Sequence, residues 1–422
     1  MAHRRWIRLL VSAAAVIAWA RPGAAQPSDA ADGLFNDQVL HEIRLYVNTK
    51  DWALLQAHWE DDTHVPADFK WNGQVVHNVS LKNHGGGSRR PNKLSLKVGF
   101  DHYTVGQRFL GLQSVLLRNN SQDASNMRER LSMLFFRRMG LAAQREAHTR
   151  LYVNDQFVGL YTICEEYDTD FLQKNFGDSA GHLYEFKFDN VAALAGAPVF
   201  TFAYLGTNPA VYVPSPFEPK TLTDDPEGDV IARFVQAVGD TGAAGWRDNV
   251  SAFLDLPTFI RHLGIENFLA EEDGLTGDYG INNFYLYRFS RTTMFRFLPW
   301  DKSNAFWDAT FSIFRNISDG PLSQDSRDLL ALRALQEPDL FQLYLDTLAA
   351  CAAFASQTDD PSQPGWLAAE VNREYTQIHQ AALDDTILYS NDEFEQAIVD
   401  LQTFAQTRST IVQAQIAAAR GQ

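Results

Sequence analysis

The sequence predicts an α+β fold with a strand-rich first part, up to about residue 166, and a mainly helical second part. Three observations indicate this. Short segments of the first part alternate between apolar and polar residues, as strands with one buried face do. One segment among them has the spacing of a helix. After residue 166 most segments repeat apolar residues at helical spacing, and one further alternating hairpin lies among them.

The first residues have the order of a secretory signal peptide. Met1–Arg8 is basic, Leu9–Ala20 is apolar, and small residues follow up to Ala25. The apolar run is too short to span a bilayer, and small residues at its end are typical of a signal-peptide cleavage site. We therefore expect residues 1–25 to be removed, and the mature chain to be secreted or periplasmic and free of the membrane.

The composition predicts a folded protein that does not act on nucleic acid. Of the 422 residues 45% are hydrophobic and 12% aromatic, and the net charge is −16. Such a chain can bury a core, whereas its negative charge disfavours nucleic acid and anionic membranes as partners. The two cysteines, Cys164 and Cys351, form either one disulfide or two separately buried thiols.

Alternation and turn signals predict the strands of the first part. The segment Lys93–Phe100 alternates most regularly: its apolar residues face one way, and Lys93 and Lys97 face the other. Asn154-Asp155-Gln156 indicates a hairpin turn, and Asn72-Gly73 is a turn signal inside the segment Lys70–Val76, which a short link separates from Val79–Lys82. The other predicted strands are His41–Asn48, Lys70–Val76, Val79–Lys82, Leu151–Val153 and Phe157–Cys164.

One helix is predicted between these strands, from about Asn126 to Met139. Apolar residues recur there at helical spacing, Asp123 or Ser125 can cap its start, and Gly140 suits its end. We therefore interpret residues 26–166 as a small α+β unit, an antiparallel sheet with one helix.

The second part, residues 167–422, is predicted to be mainly helical. Residues 191–226 are rich in proline, glycine and threonine, which indicates an irregular insertion. The predicted helices are Asp229–Val238, Pro257–Glu271, Asp325–Leu335, Pro338–Ala355, Gly365–Leu383 and Asn391–Ala419.

A hairpin within the helical part brings polar residues together. Asn283–Arg288 and Met294–Leu298 alternate, with a turn-forming stretch between them. A hairpin folded about that turn places Asn283 opposite Trp300 and beside Asp301. The pairing therefore sets a carboxamide and a carboxylate side by side at the open end of the hairpin.

These two residues, with Asp273 upstream at the end of an apolar helix, form a pattern suited to phosphoryl transfer. In kinases a first Asp orients and deprotonates the attacking hydroxyl, while an Asn and a later Asp hold divalent cations, which prefer oxygen ligands. The alternative is that these polar groups only cap a helix and a hairpin. Their spacing is compatible with both readings.

Two further segments are candidate ligand contacts. Asn83–Arg90 contains three glycines, whose N–H groups can form an anion-binding nest, and Lys93 and Lys97 on the next strand can reach phosphates. The segment lacks the Gly-Lys-Ser/Thr of a Walker A motif, and a glycine-rich hairpin is its alternative meaning. Glu165 and Glu166 close the strand-rich part, where they either contact a nucleotide base or only end a strand.

Taken together, these segments resemble the CotH kinase family, known from bacterial spore coats and from secreted bacterial proteins. The similarity covers most of the mature chain, from about Leu34 to the C-terminal helices. The motifs that carry it are Met127-Arg128-Glu129…Leu131, Asn154-Asp155…Gly159-Leu160-Tyr161…Glu165, Asp273-Gly274 with Asn283-Phe-Tyr-Leu-Tyr, and Leu298-Pro-Trp-Asp301. Motifs in this order, around a Pro-Trp-Asp hairpin, are difficult to obtain by chance.

The resemblance implies an atypical two-lobed protein-kinase-like fold. Its N-lobe would be a small antiparallel sheet with one helix, and its mainly helical C-lobe would contain the catalytic hairpin. Members of the family transfer phosphate from ATP to Ser or Thr of exported proteins, with Mg²⁺ or Mn²⁺ as the metal. The resemblance therefore implies an exported protein, or the chain itself, as the substrate.

The resemblance also implies roles for single residues of the hairpin region. Asp273 corresponds to the catalytic aspartate of the family. Asn283 and Asp301 correspond to its metal-binding asparagine and aspartate. Asp278, which lies close to Asp273 in the sequence, is the alternative for the catalytic carboxylate.

In the strand-rich part, the resemblance implies that Lys93 or Lys97 contacts phosphate and that Glu129 pairs with that lysine. Three departures from the family pattern matter, and the first is Asn282, which stands before Asn283 where the family often has His. Gly85–Ser88 stands where the family often has Gly-Asn-Ser-Ser, and Ser303 stands where many members have a second acidic residue after the metal-binding aspartate. If that acid helps to hold metal, the chain binds metal more weakly or is inactive.

Two alternatives to an active kinase follow. The first is a catalytically inactive binding module of a surface or coat assembly, which keeps the fold for contacts with a partner. The second is a carboxylate-pair hydrolase built on Asp273 and Asp301, with Trp300 and Trp307 binding sugar. The hydrolase leaves Asn283 and the glycine-rich segment unexplained.

Overall fold

The structure, a computed structural model, describes residues 29–187, 199–240, 245–360 and 362–421. The predicted signal peptide and residues 191–198 of the predicted insertion lie outside these residues. Within them, no helix is long and apolar enough to cross a membrane. The described chain mixes helices and strands, so the predicted α+β class is confirmed.

The strands of the first part form a closed barrel. They are β1 (His41–Val47), β2 (Val65–Trp71), β3 (Gln74–Asn83), β4 (Leu96–Gly99), β5 (Ser114–Arg118), β6 (Glu146–Val153) and β7 (Gln156–Glu165). Their order is β1-β2-β3-β4-β5-β7-β6, and a parallel pairing of β1 with β6 closes the barrel. The predicted antiparallel sheet is therefore wrong in its topology, because alternation identifies a strand but not the neighbour to which its free edge pairs.

Two tight turns of the barrel follow the sequence signals. Asn72 and Gly73 join β2 to β3 with φ of 46° and 76°, and Asn154 and Asp155 join β6 to β7 with φ of 50° and 63°. Both turns have two central residues in the left-handed region, the conformation that matches the twist of a hairpin and that Asn and Gly tolerate. The predicted hairpin at Asn154-Asp155 and the turn signal at Asn72-Gly73 are confirmed, but the predicted strand Lys70–Val76 is wrong because it crosses that turn, and the link expected before Val79 lies within β3.

Two helices, α1 (Thr49–Ala57) and α2 (Arg128–Arg138), accompany the barrel. Helix α2 is the predicted one. The Asp123 carboxylate accepts a hydrogen bond from the first N–H group of α2 (2.8 Å), and Gly140 follows its end with φ of 83°. The prediction of one helix in this part is wrong because it omits α1. That helix has no continuous apolar face: Leu55 is its one fully buried residue.

The second part is mainly helical, as predicted. Its described helices are α3 (Thr169–Phe176), α4 (Gly228–Gly239), α5 (Trp246–Ser251), α6 (Leu256–Phe268), α7 (Leu329–Ala334), α8 (Pro338–Ala355), α9 (Trp366–Leu383) and α10 (Asn391–Arg420). The short helices α3 and α5 are absent from the sequence prediction, since a single turn or two gives too few repeats to show a period.

A second sheet lies within the helical part, in the order β11-β10-β8-β9. It consists of β8 (His182–Phe186), β9 (Phe217–Pro219), β10 (Phe284–Arg288) and β11 (Phe295–Pro299). Strand β9 lies in the segment that was expected to be irregular, and it pairs with β8. The β10–β11 hairpin has the predicted register, with Phe284 opposite Pro299 and Tyr285 opposite Leu298.

The barrel packs on this sheet through its outer face. Side chains of β5 and β7, Leu116 and Cys164, join an apolar cluster with Tyr285, Leu298 and Trp300 of the hairpin region. Helix α2 instead belongs to the large core of the helical part. Strand β5 therefore packs against the hairpin region, and helix α2 packs into the core of the helical part, at the place where the barrel meets the hairpin.

The two cysteines are separate. Cys164 and Cys351 are both free and buried, in different core clusters. Of the two expectations for them, one disulfide or two buried thiols, the structure therefore has the second.

Candidate active site

The open end of the β10–β11 hairpin brings Asn283 and Asp301 together. The Asn283 carbonyl accepts the Trp300 N–H at 3.2 Å, which extends the pairing by one step beyond the strands. Asn283 and Asp301 have φ of 59° and 48°. Asn and Asp are the side chains that tolerate this left-handed region best, and other residues pay about 1–2 kcal/mol there. The hairpin therefore turns both side chains away from the strand direction.

Asp273 lies in the loop after α6 and faces the same point. The Asn283 side-chain amide donates to the Asp273 carbonyl (2.9 Å) and to its Oδ2 (3.0 Å), and the Asn282 amide donates to Oδ1 (3.0 Å). Burial raises the pKa of Asp273 to about 6, and the Asp301 charge acts in the same direction. The carboxylate is therefore held in one orientation by two carboxamides, with a pKa near neutrality.

The remaining oxygen atoms of this group fit a hard cation. In the described part of the chain, no hydrogen bond reaches Asn283 Oδ1 or Asp301 Oδ2, whereas Asp301 Oδ1 accepts from Arg118 (3.2 Å) and from the Ser303 hydroxyl (3.1 Å). No three His, Cys, Asp or Glu side chains of the described residues could hold a metal ion alone. Asn283 Oδ1 and the Asp301 carboxylate suit Mg²⁺, which is bound by one or two carboxylates together with substrate phosphates.

Arg118, at the end of β5, joins the barrel to this site. Its guanidinium donates to Glu129 of α2 and to Asp301, and it lies 4.7 Å above the Trp300 ring. Burial raises the pKa of Glu129 to about 7 although Arg118 opposes the shift. Glu129 therefore pairs with Arg118 and not with Lys93 or Lys97 as expected. Strand β5 is absent from the sequence prediction, and no motif marks Arg118 in the sequence.

Lys93 lies outside the site. Its ammonium donates to Asp385 (2.6 Å), in the connection between α9 and α10, and to the Leu160 carbonyl (3.1 Å). Both charged side chains are at most 4% exposed. Lys93 therefore ties the barrel to the C-terminal helices, and the structure does not bring it to Asp301.

Lys97 and Glu165 also have protein partners. Lys97 pairs with Glu166, the residue after β7, while the Glu165 carboxylate accepts from Arg145 at 2.9 and 2.5 Å. The Glu165 backbone is occupied as well, because its N–H donates to the Arg145 carbonyl (2.9 Å). Glu165 is therefore not free to contact a base, whereas Lys97 and Glu166 lie on the outer face of the barrel, next to the second sheet.

His84 lies against Trp300 at the edge of the site. Burial, together with the Arg118 and Lys97 cations, holds the pKa of His84 well below its usual value. The His84 ring meets the Trp300 ring edge to face at 6.3 Å, and its Nε2 has no hydrogen-bond partner in the described chain. Lys97 is therefore in electrostatic range of the Arg118 side of the site, although it does not contact Asp301.

The glycine-rich segment Asn83–Arg90 borders a cavity at this site. Ser88, Arg118 and Asp301 all line this cavity. The Ser88 carbonyl is held by the Asn119 amide (3.1 Å) and the Ser121 hydroxyl (2.7 Å). No described group accepts a hydrogen bond from the N–H groups of residues 86–88. These free donors, of which that of Ser88 belongs to a residue lining the cavity with Arg118, are suited to an anionic ligand.

Asp278 binds a different segment, the loop after Asp301. Its carboxylate accepts from Arg315 (2.7 Å) and from the Asn316 amide (3.0 Å). Both partners belong to the loop after Asp301, so Asp278 holds that loop in place. Of the two candidate carboxylates, Asp273 is the one in contact with Asn283.

Replacing Lys93 with methionine is expected to destabilise the protein without a large effect on the ATP binding that the family resemblance implies. Losing the ammonium leaves Asp385 buried without its cation, which costs about 3 kcal/mol or more of unfolding free energy. Since Lys93 is outside the site, we expect the Kd for ATP to change less than about threefold. Urea unfolding and ATP titration of the same variant measure both quantities.

The matched control is Lys174→Met, which removes a lysine of α3 from a partly exposed pair with Asp29. Such a pair contributes at most about 1 kcal/mol. A tenfold or larger loss of ATP affinity in folded Lys93→Met, absent in the control, would contradict this placement and return Lys93 to the phosphate site.

Two comparisons at the level of sequence agree with the motifs. The family model described as "CotH kinase protein" matches residues 81–412. The inner spore coat protein H of Bacillus subtilis (strain 168) is 24% identical over 277 residues, which cover 65% of this chain and 70% of that protein. A crystal structure of the Helicobacter pylori proinflammatory kinase CtkA matches with 11% identity and a TM-score of 0.28, over 80% of this chain and 94% of that one.

Proposed function

This chain belongs to the CotH kinase protein family, and from that premise we propose that it is an ATP-dependent protein kinase. The proposed reaction transfers the γ-phosphate of ATP, with Mg²⁺ or Mn²⁺, to Ser or Thr of exported proteins, the chain itself included. The observation that carries the proposal is the convergence of Asp273, Asn283 and Asp301 at one end of the hairpin, facing Arg118.

Asp273 is the proposed catalytic residue. Its carboxylate would accept the proton of the acceptor hydroxyl while the hydroxyl oxygen bonds to the γ-phosphorus and the bond to the ADP oxygen breaks. The two carboxamides leave the carboxylate little rotational freedom. A raised pKa near 6 keeps it both ionised at neutral pH and basic enough for proton transfer.

Asn283 and Asp301 are the proposed metal ligands, through Asn283 Oδ1 and the Asp301 carboxylate. When bound, Mg²⁺ or Mn²⁺ neutralises the negative charge on the phosphates. Asn283 has two contacts in this scheme, since its amide nitrogen orients Asp273 and its oxygen is left for the metal. The position of the base is thereby coupled to the position of the metal.

We propose that the Arg118–Glu129 ion pair takes the place of the pair that protein kinases build from a strand lysine and a helix glutamate. The Arg118 guanidinium remains charged at any physiological pH and presents several fixed donors, so it is suited to phosphate oxygens. We propose that Arg118 contacts phosphate and that the N–H groups of residues 86–88 complete the cradle. Lys97 is the second cation in range, whereas Lys93 would require Asp385 to release it.

The proposed substrate is an exported protein outside the cytoplasm. The predicted signal peptide and the similarity to a spore coat protein support this location. The acidic chain, with a net charge of −16, is unsuited to nucleic acid as a partner.

A second candidate function is an inactive kinase-fold module of a surface or coat assembly. The observation that favours it is Ser303, which stands where many members have a second acid and donates a hydrogen bond to the Asp301 carboxylate. A site with one acid fewer binds a divalent cation more weakly.

Incubation of the mature protein with γ-labelled ATP separates the two functions. We expect label on the protein or on a generic acceptor protein in the presence of Mn²⁺ or Mg²⁺, and none when EDTA removes the metal. ATP binding that needs metal but gives no label would favour the inactive module. If the protein does not bind ATP at all, the kinase proposal is wrong.

A further inference from the structure

A buried ion pair lies directly behind the proposed active site. The Lys302 ammonium contacts the Glu266 carboxylate of α6, and both side chains are 1% exposed. Burial alone would raise the pKa of Glu266, but Lys302 and His262 lower it to about 2. The pair is therefore ionised within the protein core, where an ion pair is seldom more stable than well-packed apolar residues.

Glu266 supports the loop of Asp273. Its Oε2 accepts the Leu275 N–H at 2.7 Å, two positions after the proposed catalytic residue. It also packs so closely on Gly274 that a Cβ there would lie 2.6 Å from the Glu266 carboxyl carbon. Nearby Glu271 accepts the Asp273 N–H at 2.9 Å. Carboxylates thus hold the backbone on both sides of Asp273.

Lys302 supports the hairpin. It follows Asp301 in the chain, and its ammonium donates to the Asn283 carbonyl at 2.9 Å. The Lys302 side chain thus contacts Glu266 of α6, the helix that precedes the Asp273 loop. It also contacts Asn283, whose side-chain amide donates to Asp273 and whose Oδ1 is a proposed metal ligand. These contacts reach three elements: α6, the start of β10 and the segment after β11.

We propose that Lys302 is a positioning residue that holds Asn283 and Asp301 at a fixed distance from Asp273, through Glu266 on one side and the Asn283 carbonyl on the other. The inference rests on the proposed kinase function for its consequence in catalysis. The role of the pair is geometric, because without the ammonium the Asn283 carbonyl keeps only the longer hydrogen bond from the Trp300 N–H, and the carboxamide that orients Asp273 is held less firmly.

The competing explanation is that Lys302 only neutralises Glu266. Three variants separate the two: Lys302→Met, Glu266→Gln, and the double variant Glu266→Gln/Lys302→Met. Lys302→Met alone leaves an unpaired buried carboxylate, so its melting temperature is expected to fall by about 5 °C or more. In the double variant the glutamine still accepts the Leu275 N–H and no buried charge remains, so we expect the melting temperature to return to within about 3 °C of wild type.

The kinetics of the double variant decide the matter. If Lys302 positions Asn283, kcat for phosphate transfer stays at least about 30-fold below wild type, and the Mn²⁺ concentration for half-maximal activity rises about tenfold. Glu266→Gln keeps the ammonium on the Asn283 carbonyl but loses the ion pair with α6, so we expect its kcat to lie between those of wild type and the double variant. If the double variant recovers both melting temperature and kcat, Lys302 is only a counter-ion and the proposal is overturned.

ATP binding tests the positioning role of Lys302 if the protein transfers no phosphate. If wild type transfers no phosphate but binds ATP with Mn²⁺, the same variants are compared by their Kd for ATP at saturating Mn²⁺. A Kd raised about tenfold in the double variant and raised less in Glu266→Gln supports the positioning role without turnover. Equal Kd values for wild type and double variant overturn it, and so does a wild type that binds no ATP.

Discussion

Replacing Asp301 with asparagine is expected to abolish metal-dependent phosphate transfer, with a loss of about a thousandfold or more. A metal ion contributes several kcal/mol to stabilising phosphoryl transfer, and about 4 kcal/mol corresponds to a thousandfold in rate. Asparagine removes the negative charge and keeps an oxygen for Arg118 and Ser303. It also tolerates the φ of 48° at this position, which alanine would adopt only with strain.

Two measurements check this expectation: single-turnover transfer, and the dependence of the Kd for ATP on the Mn²⁺ concentration. Asp301→Asn should bind ATP weakly and without a response to Mn²⁺, while its melting temperature without ligand stays close to wild type. The control is Asp308→Asn, an exposed residue of the same loop. A variant that still responds to Mn²⁺ as wild type does would remove Asp301 from the metal site.

The hairpin that carries Asn283 and Asp301 could be predicted because its information is local. Alternation over a few residues identifies β10 and β11, and the turn between them fixes which residues face each other. The observed pairing of Phe284 with Pro299 follows from these two facts alone. The turns at Asn72-Gly73 and Asn154-Asp155 could also be predicted locally, because these residue types are typical of a left-handed backbone.

The closure of the barrel could not be predicted in this way. It depends on a parallel pairing between β1 and β6, in which Ile43 lies opposite Leu151. Nothing within either strand specifies a neighbour so distant in the chain. The alternation of β1 is the same whether its outer edge is free or paired, so the sequence predicts the strand and leaves the topology open.

The contacts of Lys93 and Lys97 could not be predicted either, because their partners lie far away in the chain. The alternation of Lys93–Phe100 places Lys93 and Lys97 on the outer face of the barrel, but the partner on that face decides what each one does. Asp385 meets Lys93 from 292 positions away, and Glu166 meets Lys97 from 69 positions away. The cation that reaches Asp301 is Arg118, on a strand whose polar end carried no motif.

Replacing Asp273 with asparagine is expected to lower kcat for phosphate transfer by about a thousandfold, while the Kd for ATP with Mn²⁺ changes less than about threefold. The variant removes the base but not the metal ligands. Its side-chain oxygen can still accept from Asn283, and Asn282 can turn its own amide to accept from the new NH₂ group, because no described residue contacts the Asn282 Oδ1. Transfer kinetics and ATP titration of one preparation measure the two quantities.

Asp278→Asn is the matched control, since it changes the neighbouring carboxylate in the same way. Asp278 accepts from Arg315 and Asn316 and does not contact Asn283, so its substitution should weaken the loop and lower the melting temperature while kcat stays within about fivefold. The opposite result, with Asp278→Asn inactive and Asp273→Asn active, would assign the base to Asp278. Asn283 would then orient a carboxylate without a part in proton transfer, and the coupling between base and metal proposed for this hairpin would be wrong.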